Sequence, residues 1–423
     1  MRPRFLSLWP RVVGALAILV IAGAILAYAR SGQDTAMYTE IPVPLNLEDA
    51  SDAPDGDAAP EAQLERIFAE IEATRLAAAL KRTESLIQRY PNYRLAHLIK
   101  GDLLLARAHP LENFGDAHDA PPEQVADLRA EAIVRLRGYR NKPSANDVPA
   151  YLLQMDARQQ HAIVVDTQKS RLYLYQNAQE DAPRLVADYY VSQGKLGADK
   201  RTQGDRRTPL GVYHVTEHIP REKLPDLYGH GAFPINYPNE WDRRQGKSGS
   251  GIWLHGTPSD TYSRPPQASD GCVVLTNPDF DALEKNVQIG LTPVIISHGV
   301  EWLSPEGWRR ERAALRQTIE AWRMDWESRD SERYLAHYAP GFKTQQHDFQ
   351  SFAAQKRAVN QGKTWITIRL ENLSIFRSPG KEALAIVTFD QDYASNNLAH
   401  RMKKRQYWQR ENAQWKIVYE GDA

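Results

Sequence analysis

The spacing of apolar residues changes twice along this 423-residue chain, and each change marks a different kind of structure. From Glu61 to Ala108, and again from Glu123 to Gly138, apolar residues recur every three or four positions, which indicates amphipathic helices. From His161 to about Gly299, short runs rich in β-branched and aromatic residues alternate with Gly and Pro, which indicates many short strands. From Trp308 onward, helical spacing gives way to strand-like segments. Because a single hydrophobic core rarely serves more than ~250–300 residues, the chain is predicted to contain several domains.

These patterns predict three folded units. Residues 61–156 form a small α-helical domain, a helical hairpin broken at Pro91-Asn92 and followed by a third helix. Residues 157–300 form a mostly-β sandwich or barrel, in which Ala162–Asp166 and Arg171–Tyr175 pair as a hairpin. The helical domain is interpreted as a packing module, with a homodimer through it as one expectation and peptide binding as the alternative.

Residues 301–423 are predicted to be an α+β domain. A long helix from Trp308 to Ser328 and a short one from Ser331 to Tyr338 precede four strand-like segments, which are Trp365–Leu373, Ala383–Asp392, Met402–Glu411 and Gln414–Glu420. Two helices followed by a curved antiparallel sheet resemble the nuclear-transport-factor-like cone. Four aromatic residues at helical spacing are predicted to be core and not a ligand cage, namely Trp322, Trp326, Tyr334 and Tyr338.

The N-terminus is predicted to carry an export signal. Val12–Ala29 is an uncharged run of eighteen residues preceded by three arginines. At ~1.5 Å per residue it just spans a bilayer core of ~30 Å, with the N-terminus in the cytoplasm. Residues 1–30 are therefore predicted to be a transmembrane helix anchored in the inner membrane; the alternative is a signal peptide cleaved after Ala29. Either interpretation predicts a periplasmic protein, with residues 31–60 as a flexible linker.

Charge gives no reason to expect a nucleic-acid partner. Lysine plus arginine and aspartate plus glutamate number 53 each, so the chain has no net field that would attract a polyanion. A partner must be recognised by a local site.

The single cysteine, Cys272, is the residue that points to chemistry. No internal disulfide can form, so the thiol is either a small buried apolar group or a nucleophile. His255 ends a predicted strand seventeen positions earlier, where it can face Cys272 across one sheet. An imidazole in hydrogen-bond reach activates a thiol and returns the proton to a leaving amine. Gly271 allows a tight turn that aims nearby backbone N–H groups at an oxyanion.

This arrangement resembles the L,D-transpeptidase (YkuD-type) catalytic domain, whose motif is a histidine, a gap of about fifteen residues, and Ser/Thr-His-Gly-Cys. His255, Ser269, Gly271 and Cys272 match it, and the segment from Thr208 to Tyr213 also resembles the family. The family's second histidine is Asp270 here, and its arginine two residues after the cysteine is Val274. The variant motif and the flanking domains are similar to the cell-shape-determining LD-carboxypeptidases, which trim a stem tetrapeptide to a tripeptide.

Other candidate site residues have more than one interpretation. Gly256, Ser269, Asp270 and Gly271 are expected to support the site or its oxyanion; Asp270 either orients His255 or is an exposed loop carboxylate. Trp253, Tyr262 and Arg264 either line a peptide groove or belong to loop and core. His214 and His218 lie four residues apart without nearby carboxylate or thiolate partners, so no metal and no cofactor is expected.

The resemblance implies an enzyme acting on peptidoglycan stem peptides. Cys272 attacks the carbonyl between the third residue, meso-diaminopimelate in this family, and the terminal D-alanine, and a thioester remains. The acceptor is water in an LD-carboxypeptidase and an amine in an L,D-transpeptidase. A binding scaffold without catalysis is the rival interpretation, although a degenerate domain would be expected to lose Cys272 or His255.

Overall fold

The computed structural model describes residues 59–423, apart from residues 112, 117–119, 145, 381 and 413. The predicted transmembrane segment, Val12–Ala29, lies outside this range. None of the helices within the described residues is both long enough and apolar enough to cross a membrane.

The helical domain has four helices in the part of the chain described, α1 (Pro60–Glu72), α2 (Leu76–Arg89), α3 (Arg94–Leu105) and α4 (Pro122–Arg140). The expected single helix before Pro91 is wrong, because the chain breaks at Thr74, whose φ is 59°. Apolar spacing continues across this break, since Ile71 before it and Leu76 after it pack against the same hydrophobic cluster. The spacing of apolar residues alone therefore could not predict the turn at Thr74.

The middle domain contains two main sheets that share one core. Its strands include β3 (His161–Asp166), β4 (Arg171–Gln176), β5 (Arg184–Tyr190), β6 (Gln193–Gly194), β7 (Gly211–His214), β8 (Ile219–Pro220), β9 (Gly231–Pro234), β10 (Trp253–His255), β11 (Gln267–Ser269), β12 (Val273–Val274) and β13 (Pro293–Ser297). One sheet has the order β5-β4-β3-β13-β7, and the other has β12-β10-β9-β8. Leu174 from the first sheet and Leu254 from the second belong to one buried cluster, as in a sandwich. The predicted hairpin is confirmed, with Ala162 opposite Tyr175.

Two short α-helices, α5 (Glu240–Arg244) and α6 (Asn277–Glu284), and two single-turn 3₁₀ helices, Arg221–Lys223 and Asp226–Tyr228, complete the middle domain. The side chain of Asn239 caps α5, and the side chain of Thr276 caps α6, which begins just after β12. Both residue types are favoured at this position, because their oxygens accept the free N–H groups of the first turn.

The C-terminal domain wraps a six-stranded sheet around helices. Its elements are α7 (Pro305–Glu327), α8 (Ser331–Leu335), β15 (Tyr338–Lys343), α9 (Phe349–Gln361), β16 (Ile366–Arg377), β17 (Leu384–Ser395), β18 (Leu398–Glu411) and β19 (Gln414–Asp422). The second predicted helix ends at Leu335, and Tyr338 begins a strand instead. The four aromatic residues predicted to be core are confirmed as buried members of one cluster, which are Trp322, Trp326, Tyr334 and Tyr338.

Two short strands that precede the middle domain pair with strands that follow it. β1 (Val148–Pro149) pairs with β14 (Trp302–Leu303), and β2 (Leu152–Gln154) is the edge strand beside β16. The sequence prediction had placed residues 148–154 in the helical domain. Their partners lie far along the chain, so local spacing could not reveal this pairing.

Candidate active site

Two adjacent parallel strands bring His255 and Cys272 together. β10 and β12 pair with Leu254 opposite Val273 and His255 opposite Val274, and Cys272 directly precedes β12. Side chains alternate along a strand, so Leu254 and Val273 point into the core while His255 and Cys272 share the opposite face. One residue earlier in the same register, Trp253 lies beside Cys272.

His255 is held by its own neighbour in the chain. Its side chain is only 3% exposed, and Nδ1 lies 2.7 Å from the carbonyl oxygen of Gly256. Because a carbonyl only accepts, Nδ1 carries the proton and Nε2 the lone pair. The ring of Tyr228 meets the imidazole edge-on, at 5.0 Å between centroids. Burial lowers the pKa of His255 to about 4; the Gly256 carbonyl acts in the opposite direction, and the Arg264 charge adds to the lowering.

Cys272 is a partly buried free thiol whose Sγ lies 3.5 Å from the carbonyl oxygen of Gly251. Burial raises the pKa of the thiol to about 11. The backbone N–H of Trp253 and the charges of Arg264 and Lys200 lower this pKa, whereas the Asp270 carboxylate raises it. With the pKa of His255 low and that of Cys272 high, the resting pair is a neutral imidazole and a neutral thiol. A neutral imidazole within reach of a thiol can accept the thiol proton as the sulfur attacks a carbonyl carbon.

A network of hydrogen bonds fixes the turn before Cys272. Ser269 Oγ donates to the Cys272 carbonyl oxygen at 2.6 Å and accepts from the Gly271 N–H at 3.1 Å. Thr208 Oγ1 donates to the Gly271 carbonyl oxygen at 3.0 Å and accepts from the Gly194 N–H, also at 3.0 Å. The sequence indicated the segment beginning at Thr208 but not this role for its hydroxyl.

At both glycines of the site, neighbouring atoms lie so close to the backbone that a side chain would not fit. Gly271 has φ 129°, and a Cβ there would lie 2.7 Å from the Arg207 carbonyl oxygen. A Cβ on Gly256 would clash with the side chain of Asn277. The N–H of Gly256 donates to the Tyr228 carbonyl oxygen at 3.1 Å, and that of Gly271 is bonded to Ser269. Both N–H groups thus have partners within the protein, and the two glycines support the turns on either side of the site.

Asp270 and Tyr262 lie away from the reacting groups. The Asp270 side chain is 75% exposed and pairs with Lys195 Nζ at 3.3 Å. Of its two interpretations, the structure shows the loop carboxylate, because His255 Nδ1 is already bonded to Gly256. Tyr262 is 9% exposed, and its ring lies 4.6 Å from the rings of both Tyr90 and Tyr93 in the helical-domain cluster. It is therefore a core residue at the boundary between domains.

Trp253 lies beside Cys272 in the strand register, and the charge of Arg264 lowers the pKa of the Cys272 thiol. The Trp253 ring is half-buried and packs 4.8 Å from the ring of Tyr228. Arg264 is also partly buried. Burial lowers the pKa of its guanidinium, while the nearby Cys272 and Asp270 act in the opposite direction.

The two histidines considered as metal ligands differ in their surroundings, and one of them does have a carboxylate beside it, contrary to the sequence expectation. His218 Nε2 lies 2.9 Å from Glu284 Oε1, and the pKa of His214 is lowered to about 4 by burial and by the charges of Arg405 and Lys403. Among the residues that the structure describes, no group of three or more His, Cys, Asp or Glu is arranged to hold a metal ion.

Two family profiles match the chain. Residues 160–296 match the L,D-transpeptidase catalytic domain (YkuD), and residues 314–421 match the Cds6 C-terminal NTF2-like domain. These matches confirm the predicted catalytic-domain family and the predicted cone domain. YafK of Escherichia coli, named as an L,D-transpeptidase, is 30% identical over 102 residues, which are 24% of this chain and 36% of YafK. The chain thus spans little more than a third of the length of this relative.

Solved structures match over more of the chain. Bd1075 of Bdellovibrio bacteriovorus has a TM-score of 0.58 and 30% identity, covering 66% of this chain and 98% of that one. The helical cell shape determining protein Pgp2 of Campylobacter jejuni has a TM-score of 0.56 and 25% identity, covering 65% of this chain and 95% of that one.

Proposed function

Because the chain belongs to the L,D-transpeptidase (YkuD) family and also carries a C-terminal NTF2-like domain, we propose that it is an LD-carboxypeptidase of peptidoglycan stem peptides. Cys272 is the nucleophile and His255 the base. The observation that carries this assignment is the placement of both side chains on one face of adjacent strands, with His255 Nδ1 bonded to the Gly256 carbonyl oxygen.

The reaction follows from this geometry. Cys272 Sγ attacks the carbonyl carbon between the third residue and the terminal D-alanine, while His255 Nε2 takes the thiol proton. The C–N bond breaks, the proton passes from His255 to the departing amine, and a thioester remains. Water then attacks the thioester, His255 takes a proton from the water, and that proton returns to Sγ as the tripeptide leaves.

Water is favoured over an amine as acceptor for a physical reason. Holding an acceptor amine in attack geometry can contribute ~7–11 kcal/mol, so a loosened hold lets water compete. The two positions that depart from the family motif offer no such hold. Val274 is buried in the β10–β12 pair, and Asp270 points to solvent beside Lys195. The resemblance to the helical cell shape determining protein Pgp2 supports a role in cell shape by analogy.

The test is to incubate the purified protein with disaccharide-tetrapeptide and to follow products by mass spectrometry. We expect disaccharide-tripeptide and free D-alanine. Cross-linked dimers, or exchange of D-alanine for an added D-amino acid, would identify an L,D-transpeptidase instead. No turnover together with a thiol inert to carbapenems and to iodoacetamide would indicate a binding scaffold.

We further propose that the enzyme works on the periplasmic side of the inner membrane, held by residues 12–29. This proposal is supported by the eighteen uncharged residues and the arginines before them. The protein should stay with membranes during high-salt washing. A soluble form whose sequence begins at Arg30 would show cleavage in place of an anchor. The homodimer through the helical domain also remains a proposal, which sedimentation of the purified protein would test.

A further inference from the structure

The loop that joins β10 to β11, residues 256–266, is fastened to the helical domain just before it reaches the nucleophile. Tyr262 is the first contact, since its ring lies between those of Tyr90 and Tyr93. Its backbone N–H donates to the Asn92 carbonyl oxygen at 3.3 Å, and the Asn92 amide donates to the Ser259 carbonyl oxygen at 3.2 Å. The turn between α2 and α3 therefore holds the middle of the loop by ring packing and two hydrogen bonds.

The next residue, Ser263, is held by a buried ion pair. Its Oγ donates to Glu131 Oε1 at 2.6 Å, and Arg135 Nε donates to the same oxygen at 2.8 Å. The side chains of Glu131 and Arg135 are each 1% exposed, and both lie on α4. Burial raises the pKa of Glu131, and Arg135 and Ser263 oppose that rise.

The third residue, Arg264, is held through its backbone. Tyr190 at the end of β5 donates its hydroxyl to the Arg264 carbonyl oxygen at 2.8 Å. The guanidinium of Arg135 covers the ring of the same tyrosine at 3.8 Å from the centroid, and it also pairs with Glu61. Arg135 thus contacts the anchors of both Ser263 and Arg264.

A buried ionic network contributes little net free energy to the contact between two domains, because desolvation offsets much of the attraction between the charges. Apolar packing between the same surfaces would give adhesion without this cost. What charged and hydrogen-bonded groups supply is a defined position, since they tolerate little displacement. The position defined here is that of residues 262–264, which lead into β11 and so to Ser269, whose hydroxyl bonds to the Cys272 carbonyl oxygen. The positive charge of Arg264 lowers the pKa of Cys272.

We propose that the helical domain is a positioning element for the active site, which holds the Arg264 guanidinium near Cys272 through Tyr262, Ser263 and Tyr190. Glu131 and Arg135 are positioning residues in this arrangement, and they do not touch the reacting atoms. The proposal rests on the proposed function only in taking Cys272 as the nucleophile. Removing an anchor should let Arg264 move away, so that the thiolate forms less readily.

The experiment uses the fact that the chain has one cysteine. Alkylation of the purified full chain by iodoacetamide, followed by intact mass between pH 8 and 10, measures the reactivity of Cys272 alone, without any substrate. Arg264→Met defines the full effect of losing the guanidinium. Ser263→Ala and Tyr190→Phe each remove one anchoring hydrogen bond and should lower the alkylation rate at each pH by at least about threefold.

Two further variants separate positioning from general stability. Ser263→Thr keeps the hydroxyl and should retain most of the wild-type rate. Thr83→Ala removes a buried 2.8 Å hydrogen bond to the Ala79 carbonyl oxygen inside α2, away from the loop, and should lower the melting temperature without changing alkylation. The proposal is overturned if Arg264→Met alkylates like the wild type, if both anchor variants do so, or if Thr83→Ala slows alkylation equally. A failure of stem-peptide trimming would not alter these readouts, so the two proposals fail separately.

Discussion

The Nδ1 atom of His255 lies 2.7 Å from the carbonyl oxygen of Gly256, the next residue along the chain. In a Ser-His-Asp triad a carboxylate occupies this place and stabilises the imidazolium. A carbonyl fixes the tautomer in the same way but carries no full charge. Burial therefore dominates and lowers the pKa of His255 to about 4, since the Gly256 carbonyl offsets only part of that effect.

Replacing either Cys272 or His255 should abolish turnover. Cys272→Ala removes the nucleophile and His255→Ala the proton shuttle, so we expect each to lower the rate of D-alanine release by roughly a thousandfold or more. The measurement is release of D-alanine from disaccharide-tetrapeptide. The melting temperature of each variant serves as a control for folding. A Cys272→Ala protein that retains more than roughly a tenth of the activity would rule out the thioester mechanism.

Alkylation of Cys272 should increase steadily from pH 7 toward pH 11. The thiolate is the reactive form, and burial raises the pKa of the thiol to about 11, so each pH unit below that value lowers the thiolate fraction about tenfold. His255 stays neutral across this range, because burial lowers its pKa to about 4, and no inflection near pH 6.5 is expected.

The measurement is the rate of iodoacetamide labelling by intact mass, with His255→Ala as the matched variant. The alkylation rate of His255→Ala should increase with pH in the same way as that of the wild type. The contrary result is a wild-type labelling rate that has already reached its plateau at pH 7 and that falls in His255→Ala. It would show that Cys272 and His255 rest as a thiolate–imidazolium pair and not as a neutral pair.

The pairing of Cys272 with His255 was accessible from the sequence because both residues belong to one local unit. Seventeen positions separate them, and adjacent strands with clear apolar alternation carry them. The cone domain was accessible for a similar reason, since its long helix and its strands each have a clear period. The break at Thr74 was hidden because both flanking helices bury the same face.

Gly271→Ala should destabilise the protein and slow the reaction. Its φ of 129° is strained for any residue with a side chain, and the new Cβ would press on the Arg207 carbonyl oxygen. We expect a loss of ~1–3 kcal/mol in the free energy of unfolding, and at least a tenfold loss in rate as Cys272 shifts.

Gly101→Ala is the matched control for that variant. Gly101 lies inside α3, and a Cβ there would meet nothing within 4 Å. Alanine in a helix interior should stabilise by ~0.5–1 kcal/mol and leave the rate unchanged. Urea unfolding of the two variants makes the comparison. A Gly271→Ala protein as stable and active as wild type would show that the turn tolerates a side chain.

The parts of the site that the sequence did not reveal are those set by distant contacts. Thr208 joins Gly194 to Gly271, and Glu131 reaches Ser263 from another domain. A threonine hydroxyl or a glutamate in a helix has many ordinary roles, and nothing in the local pattern distinguishes these. Tyr262 was ambiguous for the same reason, since an aromatic residue in a loop suits a groove and a domain interface equally.

Asp270→Asn should leave trimming nearly unchanged, although Asp270 stands two residues from the nucleophile where the family has a histidine. Its carboxylate is mostly exposed, and its partner Lys195 is half-exposed, so the ion pair contributes only ~0–1 kcal/mol. The same carboxylate adds to the raised pKa of Cys272, so its removal should make iodoacetamide labelling equal to or slightly faster than wild type.

For Asp270→Asn we expect D-alanine release to stay within about threefold of wild type, with the same ratio of tripeptide to cross-linked product. Lys195→Met removes the other partner and is the control. It should release D-alanine at the same rate, but it keeps the Asp270 carboxylate and so should not label faster than wild type. A tenfold fall in D-alanine release confined to Asp270→Asn would instead show that this carboxylate helps to activate water.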